Sequence, residues 1–159
     1  MNNPETEMLL GRTPASEFVG REAEVERVCR LTGGDARVRS AILLGAPRSG
    51  KTELLRKTFD RLFFRAGEVA PIYHCFRPDR LTPVTLAHDY LAQFLSQFIA
   101  FRRGDPKMIQ NPSEPLDSIA LQAAPSDFLW IKAIVEKYGR ALAAADEVSA
   151  LAISVTAPA

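Results

Sequence analysis

Residues 41–52 read Ala41-Ile42-Leu43-Leu44-Gly45-Ala46-Pro47-Arg48-Ser49-Gly50-Lys51-Thr52, and this stretch decides how the rest of the chain is interpreted. Its first four residues are a short continuous apolar run, the pattern of a strand buried on both faces of a parallel sheet. The next eight fit G-x-x-x-x-G-K-[ST] without a mismatch, the pattern of a P-loop. With glycine near 7% of residues, two fixed glycines, a lysine and a Ser or Thr coincide roughly once per two hundred chains of this length, so accident is a poor explanation. Gly45 and Gly50 allow dihedrals and close approaches that a Cβ forbids. Successive N–H groups then form an anion-binding concavity at the start of the following helix. Gly45, Ala46, Pro47, Arg48, Ser49, Gly50, Lys51 and Thr52 are therefore expected to hold the phosphates of a nucleoside triphosphate, MgATP in particular. Lys51 is expected on the β- and γ-phosphates, and the Thr52 hydroxyl as a ligand of Mg²⁺.

Outward from this loop, helical and strand patterns alternate. Residues 21–32 are helical upstream, with Val25, Val28 and Cys29 on one face, Glu22, Glu26 and Arg30 on another, and Gly33-Gly34 as a stop. Residues 51–65 are helical downstream, with Leu55, Phe59, Leu62 and Phe63 on the core side. Residues 69–76 read as a second strand, Pro71 near its start. Thr82-Pro83 opens a helix to about Arg102 with a stripe of Ala87, Leu91, Phe94, Leu95 and Phe98. The stretch 104–125 carries Pro106, Pro112, Pro115 and Pro125 and reads as a long surface loop. Ser126 is expected to cap a last helix with core face Ile131, Ile134, Val135, Tyr138 and Leu142. Residues 151–159 read as a short strand or frayed end.

Composition bounds the function. The 159 residues suffice for about one domain, with 47% hydrophobic and 25% charged residues. A net charge of +1 argues for neither a nucleic-acid nor a membrane-surface partner. No apolar run reaches the roughly 18 residues of a membrane span, and residues 1–7 lack a basic signal-peptide start. Cys29 and Cys75 are too few for a disulfide framework, so a reduced, cytoplasmic setting is expected.

A second motif lies upstream: Phe18-Val19-Gly20-Arg21-Glu22-Ala23-Glu24, then a helix, then the P-loop. This order resembles the start of AAA+/STAND-type P-loop ATPases, including the archaeal-type ATPases and the origin-recognition clade. Their N-terminal signature looks like F-x-G-R-E-x-E, and their P-loops often read G-x-P-x-S/R-G-K-T. The resemblance covers roughly residues 16–100. It implies a three-layer α/β P-loop NTPase domain with a parallel sheet, incomplete at the C-terminus because no Walker B or sensor strand follows. Residues 1–17 are then a flexible lead-in, and 18–159 the N-terminal part of the ATPase domain. The resemblance also implies that Val19, Gly20 and Arg21 line the adenine. Related ATPases often assemble with nucleotide between subunits, which leaves a protein partner or a homo-oligomer open, and nucleic acid undecided.

Catalytic residues are unknown at this level. The one textual match to a Walker B end is Ala143-Ala144-Ala145-Asp146-Glu147, which continues a helical pattern instead. ATP hydrolysis is expected only if Walker B and sensor elements complete the site. Two other classes compete: a nucleotide-independent protein-interaction module, and a small-molecule kinase with Phe101-Arg102-Arg103 as its basic lid. Lys57, Arg61 and Arg65 fall on one helix stripe and read as a solvated face. His74 and His88 are not expected to be catalytic or metal-binding.

Overall fold

The computed structural model describes residues 8–14, 16–31, 42–76, 78–79, 82–110 and 115–158, and the chain divides into two compact units, Met1–Pro71 and Ile72–Ala159. Regular structure among the described residues is entirely helical. In order it runs α1 (Glu22–Arg30), α2 (Lys51–Arg65), α3 (Pro83–Arg103), a 3-10 turn (Pro106–Gln110), α4 (Leu116–Ala120), α5 (Pro125–Ala143) and α6 (Glu147–Thr156). None of these helices is long and apolar enough to cross a membrane.

The expected three-layer α/β domain with a parallel sheet is therefore overturned. Both proposed strands lack strand pairing among the described residues. The run before the P-loop is not buried on two faces either, since Ile42 is 84% and Leu44 85% exposed; Ala41, like Gly33, Gly34 and Pro112, lies outside the described residues. A strand needs a second strand to complete its hydrogen-bond ladder, and an apolar run cannot create one. In the 69–76 segment a side chain takes the neighbour's place. Gln97 on α3 is buried, accepts a hydrogen bond from Tyr73 N–H at 2.7 Å and donates one to Tyr73 C=O at 2.9 Å. One helical turn earlier, Gln93 Oε1 lies 2.8 Å from His74 Nδ1. These two glutamines fasten the segment to a helix. Gln97→Ala is expected to cost about 1–2 kcal/mol, read as a lower midpoint in urea denaturation.

In the first unit, α1 lies along α2. Val25 and Cys29, one turn apart, are buried with Leu54, and Phe18, Val28 and Leu62 pack around them. The core side of α2 is Leu54, Thr58, Phe59 and Phe63, whereas Leu55, expected on that side, is 42% exposed. Docking of α1 at Leu54 rotates the buried stripe by about one residue. The basic stripe is not a free solvated face: Glu26 on α1 meets Arg65 at 2.8 Å and Arg61 at 3.5 Å. Hydrogen bonding to Arg65 holds the Glu26 carboxyl below its ordinary range. Lys57 Nζ sits 5.9 Å from the centroid of the Phe18 ring.

The described part of the lead-in is hydrogen-bonded to α2. Leu10 and Gly11 donate their N–H groups to the two Asp60 carboxylate oxygens at 2.8 and 3.0 Å. Arg12 and Thr13 donate to Glu53 Oε1 at 2.6 and 2.7 Å.

The second unit is built around α3, which buries Leu91, Ala92, Phe94, Leu95, Ile99 and Ala100 and so faces protein on most of its circumference. Thr82 caps it by accepting from Thr85 N–H at 3.2 Å. It ends at Gly104 in the left-handed conformation, with Asp105 N–H returning to Ala100 C=O at 3.0 Å. Ile119 of α4, Ile131, Val135 and Tyr138 of α5, and Ala150 of α6 complete the core. The expected loop at 104–125 thus contains a 3-10 turn and α4. The expected cap Ser126 is instead inside α5, which starts with Pro125 at its first position after Ala124. Helix α6 runs to Thr156 and so covers residues 151–156 of the segment read as a strand or frayed end.

Candidate phosphate-binding site

The site is the turn that feeds α2. Gly50 stands at the helix N-cap with φ +82°, a left-handed conformation that favours glycine, and Arg48 two residues earlier has φ +61°. Ser49 N–H donates to Ala46 C=O at 3.2 Å, closing the turn, and Leu54 N–H to Gly50 C=O at 2.9 Å begins the helical ladder. Gly50 has no side chain to cap α2. The N-terminal end of a 15-residue helix therefore opens directly onto this turn, its first-turn N–H groups and positive dipole end directed outward.

Lys51 is held inside the turn. Its Nζ donates to Gly45 C=O at 2.7 Å and Ala46 C=O at 2.6 Å, and lies 3.3 Å from Ser49 Oγ. An ammonium carries three donors, and the two short bonds to carbonyls leave its third, weakly engaged at Ser49, for an incoming anion. The loop is thus threaded around the lysine it must present. A Cβ at Gly45 would meet Ser49 Oγ at 2.9 Å, so the serine hydroxyl would have to turn aside to admit one, whereas Lys51 Cδ at 3.7 Å would be in ordinary contact.

Arg48, Ser49, Gly50, Lys51, Thr52, Glu53 and Arg56 line a cleft of about 260 Å³. Thr52, on the first turn of α2, is exposed and offers one hydroxyl oxygen, which suits Mg²⁺ held mainly by phosphate and water. Ala46 and Pro47 are exposed in the loop but do not line the cleft. No group of three or more His, Cys, Asp or Glu among the described residues is placed to hold a metal by itself.

The proposed base-contacting residues reach this region through α1. Phe18 packs on the cluster containing Leu54, which follows Lys51 by three positions, so residues 18–21 are tethered to the start of α2. Val19 is 80% exposed, Gly20 has φ +78°, and Arg21 is the N-cap residue of α1. It is Phe18 that packs on this cluster, and none of the described backbone hydrogen bonds joins residues 19–21 to the 45–52 loop.

Two cleft residues, Arg56 and Glu53, were not assigned to this site from the sequence, where Arg56 reads as a neighbour of the basic stripe of α2. Arg56 follows Thr52 by one helical turn, the spacing that puts both on one face. Glu53 is the carboxylate of the cleft, and partial burial alone would raise its pKa. The N–H groups of Thr13 and Arg12, with the Thr13 hydroxyl, outweigh that and hold it below its ordinary value of 4.5. Because the folded value is depressed, this fastening is complete above the ordinary value and is lost as pH falls through the folded one. Asp60 goes the other way: burial raises it above 3.8 despite its amide donors. Carboxyl NMR titration is expected to place the Glu53 midpoint below 4.5 and the Asp60 midpoint above 3.8. The Arg12 and Thr13 amide resonances are expected to titrate with Glu53.

The remaining candidates are accounted for elsewhere. Asp146 is the N-cap of α6 and accepts from Ser149 N–H at 3.0 Å; hydrogen bonding from Ser149 keeps its pKa low. Arg102 donates to Asp127 at 3.0 Å and Arg103 to Gln122 C=O at 2.8 Å, which ties the proposed kinase lid into the second unit. Cys29 is buried, and burial pushes its thiol pKa up; Cys75 is exposed, and the two cysteines are not joined in a disulfide. Set against protein families, characterised proteins and solved structures, the chain matches none of them.

Proposed function

We propose that this chain is a nucleotide-binding module that holds MgATP on the 45–52 loop, in the manner of an AAA+/STAND-type ATPase. The observation that carries the reading is the lysine: Lys51 Nζ is fixed by the Gly45 and Ala46 carbonyls at the mouth of an uncapped helix N-terminus. Backbone N–H groups of the loop and α2 take phosphate oxygens, the third Lys51 donor takes the β- and γ-phosphates, and Thr52 supplies an oxygen to Mg²⁺. The metal, when bound, neutralises phosphate charge and orients the terminal group. Val19, Gly20 and Arg21 are assigned to the adenine, a reading supported by the neighbouring Phe18, which shares a core with Leu54 of α2.

Turnover by this chain alone is expected to be low. The carboxylate in the cleft, Glu53, already accepts two amides and is ill suited to polarise water. The thiols of Cys29 and Cys75, not joined in a disulfide, suit a reduced, cytoplasmic setting. A second reading, a nucleotide-independent interaction module, draws on exposed apolar side chains such as Val148 and Val155 of α6, 81% and 58% exposed.

Calorimetric titration with ATP, with and without Mg²⁺, separates the two. Saturable heat in the presence of Mg²⁺, with slowed amide exchange across residues 45–52, is expected. Well-folded protein that shows neither leaves only the interaction module standing.

A further inference from the structure

We infer that Glu53 is a positioning residue that couples the lead-in to nucleotide binding; the inference rests on the nucleotide-binding reading above. While Glu53 holds the Arg12 and Thr13 amides, its carboxylate is kept from the cations of the phosphate cleft. Once that hold is lost, it competes with phosphate for them.

The lead-in is fastened to α2 at two points. Four successive N–H groups, from Leu10 to Thr13, end on carboxylate oxygens, two on Asp60 and two on Glu53 Oε1. Glu53 and Asp60 are seven residues apart, which sets them on one face of α2 and about 10 Å apart along its axis. This strap runs against the direction of the helix, so its Thr13 end arrives at the phosphate site. Asp60 is the inner anchor, only 3% exposed. Glu53 is the outer one and, unlike Asp60, it lines the cleft with Arg48, Lys51 and Thr52.

A carboxylate in a phosphate site is a rival anion. Glu53 Oε2 lies 3.9 Å from Arg56 Nη1, so the attraction of the cleft cations already reaches it. The Thr13 and Arg12 amides act against that pull and, with the Thr13 hydroxyl, stabilise the carboxylate where it is. A half-buried carboxylate stripped of those donors must replace them, and the cations lining the same cleft are at hand. Phosphate then has to displace it. The coupling is reciprocal: a ligand that occupies the cations leaves Glu53 to the strap, so nucleotide tightens the strap as the strap favours nucleotide.

Gly11 gives a way to loosen the strap without touching the cleft. A Cβ there would meet Asp60 Oδ2 at 2.7 Å and Lys57 Cε at 3.2 Å. Asp60 is short and buried, so the strap and not the helix gives way. The test is calorimetry with MgATP on the 159-residue chain, for the wild type, Gly11→Val, Glu53→Ala and the double variant, with amide exchange read by NMR. Gly11→Val is expected to weaken MgATP about tenfold and to speed exchange at the Arg12 and Thr13 amides. Glu53→Ala, which frees the strap but removes the rival anion, is expected to bind MgATP about two- to threefold more tightly. Adding Gly11→Val to it should change affinity by less than about twofold, because the strap acts through that carboxylate. In the wild type, MgATP is expected to slow exchange at the Arg12 and Thr13 amides. Weakening by Glu53→Ala, an equal loss from Gly11→Val with and without Glu53, or no slowing by MgATP in the wild type overturns the coupling while the binding reading stands. Absence of MgATP binding in the wild type overturns both. If Gly11→Val does not fold or leaves the strap amides unchanged, the wild-type exchange and Glu53→Ala decide.

Discussion

Lys51→Ala is expected to weaken MgATP binding by a factor of about 100 or more, since a charged hydrogen bond contributes about 1.5–3 kcal/mol and this lysine does two things. It supplies the donor and charge for the phosphates, and its ammonium ties the Gly45 and Ala46 carbonyls together at 2.7 and 2.6 Å. Without it the turn loses the anchor that keeps those carbonyls off the phosphate path. The helices should survive, because the lysine's bonds are local to the loop and Leu54 below it is untouched. Unchanged far-ultraviolet circular dichroism is therefore expected alongside the lost heat. Lys51→Arg is not expected to restore binding, because a planar guanidinium cannot replace a compact ammonium between two carbonyls. Full retention of MgATP affinity in Lys51→Ala would remove the observation on which the functional reading stands.

The second large effect is on stability. Leu54 is fully buried between α1 and α2, in a core whose other buried members are Val25 and Cys29. Leu54→Ala is expected to cost about 2–5 kcal/mol, the range for a cavity opened in a packed interior. In so small a core little can collapse into the space, so the upper half of that range is expected. Leu55→Ala removes the same number of atoms one position along and is expected to cost less than about 1 kcal/mol, because Leu55 is 42% exposed. Urea denaturation of the pair measures the contrast. Nucleotide binding should weaken in Leu54→Ala as well, since residues 19–21 lie between Phe18 and α1, both of which pack at this leucine. Similar costs for the two variants would show that α1 is not packed on Leu54.

The contrast between these leucines illustrates how far pattern reading reaches. Helix α2 was bounded correctly at both ends, Lys51 and Arg65, and α3 within a residue, because their signals are local. A glycine turn precedes α2, and Thr82-Pro83 and Gly104 bracket α3. The face that α2 buries was displaced by a residue, since which of Leu54 and Leu55 is covered depends on where α1 lands. The eight loop residues were legible as a motif, whereas Arg56 and Glu53 entered the cleft only through the course of α2 and the lead-in. The basic stripe of Lys57, Arg61 and Arg65 read as solvated because Glu26, far away in sequence, is what Arg61 and Arg65 meet.

By itself the sequence of this protein determined the helices with strong caps and the phosphate-loop motif, both of which are set by residues a few positions apart. Only the tertiary structure decided that the apolar run 42–44 stays exposed, that Gln97 holds the segment around Tyr73 where a strand was expected, and that α6 forms at the tail. The physical reason is the range of the interactions. A helix closes its hydrogen bonds within four residues, so its own sequence suffices. A strand borrows its partners from elsewhere in the chain, and an apolar run does not specify what will supply them.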